Sequence, residues 1–244
     1  MFFLFPLTHV YICQKVFNHL NNQLILGSTF PDTVIENPLD YHQTHTMGRS
    51  FLNYVEKHDP SIKDFALGVL IHGIEPRGVD YYCDERYPGC ERGFCFKKAK
   101  PLIKEVVERC LIPEEYGWWK AHNFVEMGIE LKISDENHQL VKMLRDAYRD
   151  FPLIRHVSKT LGNFFEMDEE DIYRGFVKFS RYLGETPLTA QSLAEKFEQQ
   201  MDSRHKVCID KQASAKLIQK CRDAIEGDFG EFVRYFLNNL PNFE

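Results

Sequence analysis

The 244-residue chain has no apolar run approaching the roughly 20 residues that a membrane-spanning helix needs. Basic stripes are missing too. Its 30 Lys and Arg stand against 36 Asp and Glu for a formal charge of -6. Tight electrostatic capture of duplex nucleic acid is therefore disfavoured, while single strands and small phosphates stay open. No Gly-rich phosphate loop, GxSxG elbow or HExxH pair occurs, which argues against P-loop, serine-hydrolase and zincin chemistry. The seven cysteines contain no CxxC step, so a zinc knuckle or iron–sulfur site draws little support from Cys83, Cys90, Cys95 and Cys110. An odd cysteine count without an export signal points to free thiols and a cytoplasmic location. The apolar opening from Met1 to Leu7 lacks a basic flank and a small-residue cleavage site, and reads as a packed N-terminus. Alternating strand-like runs are nearly absent, and no internal repeat or low-complexity tract is found.

What is present is an ordinary globular share of apolar residues, 43%, arranged with helical periodicity almost throughout. The periodicity predicts helices near 8–20, 40–57, 61–73, 99–109, 113–132, 136–148, 168–183, 189–201, 211–224 and 229–239. Asp40, Ser134, Asp168 and Thr189 stand as N-caps, and Pro60, Pro101, Pro113 and Pro187 lie near helix starts. An all-α fold follows. The longest irregular stretch, 74–98, is rich in Gly, Pro, Tyr and charge, as loops that carry function often are. Its aromatics Tyr81, Tyr82, Tyr87, Phe94 and Phe96 either line a cleft or anchor the loop. Past Ile133 few ligand-type residues fall on apolar faces. Residues 1–133 are therefore read as a metal-binding helical domain, and 134–244 as helices packed on it or continuous with it.

Four of the ten histidines occupy positions where an apolar stripe should carry a leucine. His9 opens the stripe Ile12, Cys13, Val16, Phe17, Leu20. His45 is followed at helical spacing by Gly48, Leu52 and Val55, whereas neighbouring His42 leads into the wet face of Thr46, Arg49 and Asn53. His72 closes the stripe Ile62, Phe65, Val69, and His122 sits one turn before Glu126 on a face bordered by Trp118, Val125 and Ile129. Taken singly, each is more commonly a core imidazole bonded to a carbonyl. Together, four buried imidazoles on four helices are satisfied most simply by a shared metal centre, because each otherwise needs its own polar partner. Asp32, in what reads as a turn over Gly27–Thr33, is either a bridging carboxylate or a turn-capping aspartate.

In this order the residues resemble the zinc-dependent phospholipase C family, whose all-α fold is shared with the single-strand-specific P1/S1-type nucleases. The matching features are a first-helix His9, a Pro31-Asp32 step after Gly27, a helical His45, the apolar run from Phe65 to His72, and the late His122-x-x-x-Glu126. The resemblance covers about residues 1–133. It implies a multi-helix bundle with additional C-terminal helices, and metal roles for His9, Asp32, His45, His72, His122 and Glu126. It further implies one to three zinc ions, or another divalent metal, and a phosphoester substrate such as a phospholipid head group, attacked by metal-activated water. Three departures stand out. Pro76 occupies the place of the family's aspartate, for which Glu75 or Asp80 would substitute. A further family histidine has no counterpart, and the chain begins at Met1 rather than at a processed residue. The expectation is a reduced centre of one or two metals, with Glu75 or Glu130 as base or outer acceptor. The alternatives are a nuclease or phosphomonoesterase of the same fold, or a non-catalytic helical binding protein whose degenerate metal site braces the core.

Overall fold

The computed structural model describes residues 5–34, 38–184 and 187–240. Among them the chain is all-helical, without a β-strand, and no helix is long and apolar enough to cross a membrane. Residues 1–4 of the apolar opening lie outside the described set, whereas Phe5, Pro6 and Leu7 are buried.

The first half builds a nest around one helix. α1 (Pro6–Phe17), α2 (Asn22–Thr33), α3 (Tyr41–Thr46), α4 (Gly48–His58) and α5 (Lys63–His72) follow in order. α2 packs on α1, α3 and α5 and also on two helices of the second half, so it is enclosed, with every residue from Leu24 to Thr33 buried. Asn21 starts it, its side chain accepting from the Leu24 amide at 2.9 Å. The Gly27–Thr33 segment is thus helix interior rather than the expected turn. With no wet face, α2 lacks the periodicity that betrays a helix. Its hydroxyls are satisfied locally: Ser28 and Thr29 donate to the Ile25 carbonyl and Thr33 to that of Thr29. Two glycines set the α2–α5 crossing. A Cβ on Gly27 would lie 2.0 Å from the Phe65 carbonyl oxygen, and one on Gly68 2.6 Å from the Ser28 nitrogen.

The expected 40–57 helix breaks at Met47 into α3, started by an Asp40 capping box, and α4. The 74–98 stretch is not structureless. It contains a wide π-helical turn over Tyr81–Glu85 and the short α6 (Phe94–Ala99).

The second half continues with α7 (Ile103–Cys110), α8 (Glu114–Glu136), α9 (His138–Ala147), α10 (Phe151–Phe165), α11 (Glu169–Leu183), α12 (Ala190–His205), α13 (Lys211–Ala224) and α14 (Asp228–Asn238). α8 runs through Ile133 and Ser134, so Ser134 is buried helix interior and not an N-cap; α12 and α13 pack on α8. α10 was not expected, although Asp150 caps it and Pro152 occupies its first turn. Asp168 and Thr189 cap α11 and α12 as the sequence predicts. One apolar cluster runs from Phe5 to Phe236 across both halves. All seven cysteines are free thiols.

Candidate metal centre

Five of the seven anticipated ligands meet at one place. α1 brings His9, the end of α2 Asp32, α3 His45, the last residue of α5 His72, and the residue before the π-turn Asp80. The crossing at Gly27 and Gly68 lets α5 lie close enough for His72 Nδ1 to donate to the Ser28 carbonyl at 2.7 Å. His45 Nδ1 is held the same way by the Tyr41 carbonyl at 3.0 Å, with Thr44 Oγ1 at 2.8 Å. A carbonyl only accepts, so both Nδ1 atoms carry protons, and each ring presents Nε2 inward.

The two Nε2 atoms face each other at 3.2 Å. Asp80 lies 3.0 Å from His45 Nε2 and 3.1 Å from His72 Nε2, and Asp32 lies 3.4 and 3.8 Å from the same atoms. Two imidazole lone pairs cannot share such a space without a positive charge between them, and two carboxylates add to that demand. Burial opposes charge on His45, but its hydrogen bonds to Asp32 and Asp80 outweigh this and push its pKa up to about 9. Burial would raise Asp80 as well; His72 and His9 beside it, with hydrogen bonds from His45 and His72, instead hold the carboxyl well below its usual range. Asp32, His45, His72 and Asp80 each offer a ligand atom within 4.8 Å of all the others.

His9 stands at the edge of this group. Its Nε2 is 3.5 Å from Asp80 and 3.9 Å from Asp32, and its ring stacks on His72 at 3.8 Å. Its Nδ1 is buried without a hydrogen-bond partner among the described residues. Burial, with His72 alongside, lowers its pKa to about 4, leaving a neutral ring.

His122 and Glu126 do not join that group. They form a second one with Asp84, again within 4.8 Å of one another, His122 Nε2 lying 3.7 Å from Glu126. Asp84 escaped the sequence reading. The signal was its i, i+4 spacing from Asp80, by which one turn delivers a carboxylate to each group. That turn is pinned by the Gly93 amide and Arg92 Nε, both donating to the Asp84 carbonyl at 3.0 and 3.1 Å. His122 stacks on Phe96 at 4.2 Å, and Asn123 donates to Glu126 at 3.0 Å. Burial, with Lys120 adding, lowers His122 to about 3, so its ring too is neutral. Asp84 and Glu126 are raised well above the usual carboxylate range, first by burial and then by neighbouring carboxylates. Asp84 Oδ1 is buried and unpartnered among the described residues. No positive charge stands among these three side chains to offset the burial that keeps both acids from ionising. The donor set of both groups, imidazole nitrogen plus carboxylate oxygen, fits a borderline divalent cation such as zinc, which would take the place of the proton that His45 otherwise holds.

Glu75 lies outside both groups, on the wall of an 860 Å³ cleft with Arg77, Tyr81, Tyr82 and Glu85. Tyr87 lines an adjoining recess, whereas Phe94 and Phe96 are buried anchors. Tyr41 is 39% exposed and stacks on His45 at 4.0 Å. Glu130 is fully buried against the first turn of α1. Comparison with protein-family models, curated proteins and solved structures finds no match to this chain.

Proposed function

We propose that the chain is a metal-dependent phosphoester hydrolase of the zinc-dependent phospholipase C type. The observation that carries this reading is the opposed Nε2 pair of His45 and His72, 3.2 Å apart and flanked by Asp32 and Asp80. The second group then takes the place of the family's further site, with Asp84 standing where a histidine is expected. The two groups, with His9 at the edge of the first, take in the six residues for which the resemblance implies metal roles, and Asp80 is read as the substitute for the aspartate that Pro76 replaces. Bound at these residues, divalent ions supply the Lewis acidity that activates water and offsets charge on phosphoryl oxygens.

The protein's own contributions follow from the geometry. The Ser28 and Tyr41 carbonyls fix the tautomers of His72 and His45 and aim their lone pairs. Asp32 and Asp80 supply the negative charge that holds cations in place. Tyr41 stacks on His45 and is partly exposed, which makes it the side chain offered to an incoming substrate.

A second reading, a metal that only braces the core, draws on burial: His45 and His72 are 1% and 0% exposed. One experiment separates the two. Metal content of the purified protein is measured, then turnover of bis(p-nitrophenyl) phosphate with and without added zinc, with p-nitrophenyl phosphate and a single-stranded oligonucleotide as parallel substrates. Bound zinc with zinc-dependent turnover is expected. Bound metal without turnover of any substrate favours the brace, and absence of bound metal overturns both.

A further inference from the structure

His45 and His72 are pinned through Nδ1, but His9 has no such pin. Its aim toward Asp80 and Asp32 therefore depends on where the first turn of α1 is placed. That turn lacks the usual device for holding a helix start. Phe5 at the N-cap offers no side-chain acceptor, and Pro6 follows it, which leaves the amides of Leu7 and Thr8 in need of partners. The partner comes from a different helix. Glu130 on α8 accepts the Leu7 amide at 3.1 Å and the Thr8 amide at 2.7 Å, and Thr8 Oγ1 donates to it at 2.9 Å. Glu130 lies one turn beyond Glu126 and two beyond His122, on the same stripe of α8. A single helix thus carries two residues of the second group and, one turn on, the clamp that locates the helix bearing His9.

We propose that Glu130 is a positioning residue that sets His9 against the metal centre by clamping the first turn of α1. This rests on the metal-centre reading above. Removing one of its acceptor oxygens frees an amide of the turn, lets α1 shift, and misaims an imidazole that no hydrogen bond at Nδ1 holds.

The test is a double-mutant cycle on zinc affinity, measured on the full chain by competition with a chromophoric chelator, with thermal melting alongside. Glu130→Gln and His9→Ala are each expected to weaken the same zinc by about tenfold or more, the scale seen for outer-shell partners. The double variant is expected to bind no more weakly than His9→Ala alone, because Glu130 acts through His9. Thr8→Val, which removes only the hydroxyl donor, is expected to give a smaller loss in the same direction that also vanishes in the His9→Ala background. It serves as the readout if Glu130→Gln does not fold. Losses that simply add, or a Glu130→Gln protein that melts earlier with zinc affinity unchanged, would overturn the positioning role and leave the metal centre standing. A native protein that takes up no zinc removes the metal centre, and the positioning role with it.

Discussion

The tight crossing of α2 and α5 allows a sharp test of the fold that carries the site. Gly68→Ala would place a methyl group 2.6 Å from the Ser28 nitrogen, 2.7 Å from the Leu24 oxygen and 2.9 Å from the Gly27 carbonyl carbon. All three are backbone atoms of α2, which cannot rotate aside, and ordinary contact begins near 3.4 Å, so the helices must part by about 0.8 Å. Overpacking of this kind costs about 1–3 kcal/mol, and three fixed neighbours argue for the upper end. Alanine in a helix recovers about 1 kcal/mol over glycine. The net expectation is a loss of about 2 kcal/mol, or about 4–8 °C in melting temperature for a chain of this size. The matched control is Gly230→Ala in α14, where a Cβ meets nothing within 4 Å. There the same substitution should stabilise by about 0.5–1 kcal/mol. Thermal and urea unfolding of both variants checks the opposite signs. If Gly68→Ala raises the melting temperature as Gly230→Ala does, α2 and α5 are not packed as described, and the bond from His72 to Ser28 loses its foundation.

Two further outcomes are expected. Tyr148→Phe should cost about 1 kcal/mol in urea unfolding, because the buried phenol within 2.8 and 2.6 Å of the Thr29 and Thr33 hydroxyls is lost while both hydroxyls keep their carbonyl partners; an unchanged midpoint would refute the bridge. Burial raises the pKa of Glu130 to about 8 despite its amide donors. The folded state therefore binds a proton more tightly than the unfolded one. This stabilisation is full below the ordinary glutamate value near 4.5, and it is lost as pH rises toward 8. Between pH 5 and 8.5 the native protein should lose stability relative to Glu130→Gln; parallel urea midpoints at the two pH values would contradict the assignment.

What the sequence made legible was whatever left an anomaly in a periodic pattern. His9, His45 and His72 could be found because each closes or opens an apolar stripe at helical spacing, where a polar residue stands out even though α5 and the first turn of α1 are buried nearly all round. Asp32 could be suspected but not placed, because α2 is buried on all sides and its Gly, Ser, Thr and Pro content imitates a turn. Asp84 was hidden by its setting. Among charged and aromatic loop residues a carboxylate is unremarked, and only the four-residue step from Asp80 could have marked it. That His122 and Glu126 form a group apart from the other histidines is set by tertiary packing, with α6 placing Phe96 against His122. α10, by contrast, was readable: Asp150 and Pro152 mark its start, and Ile154, Val157, Ser158, Leu161 and Gly162 trace one buried face.

The wide turn between Asp80 and Asp84 has a consequence for how this chain can vary. Its two carboxylates belong to different groups yet ride on a single piece of backbone, like two teeth on one gear. Inserting or deleting one residue between them would swing one tooth to another side of the turn and disengage it, whatever else were kept. Lengthening the loop over 86–91, between the turn and the Arg92 and Gly93 that hold it, would leave both engaged. Tolerance to length change should therefore switch from none to ample within the span of about ten residues, and the two groups can be lost together but not retuned independently.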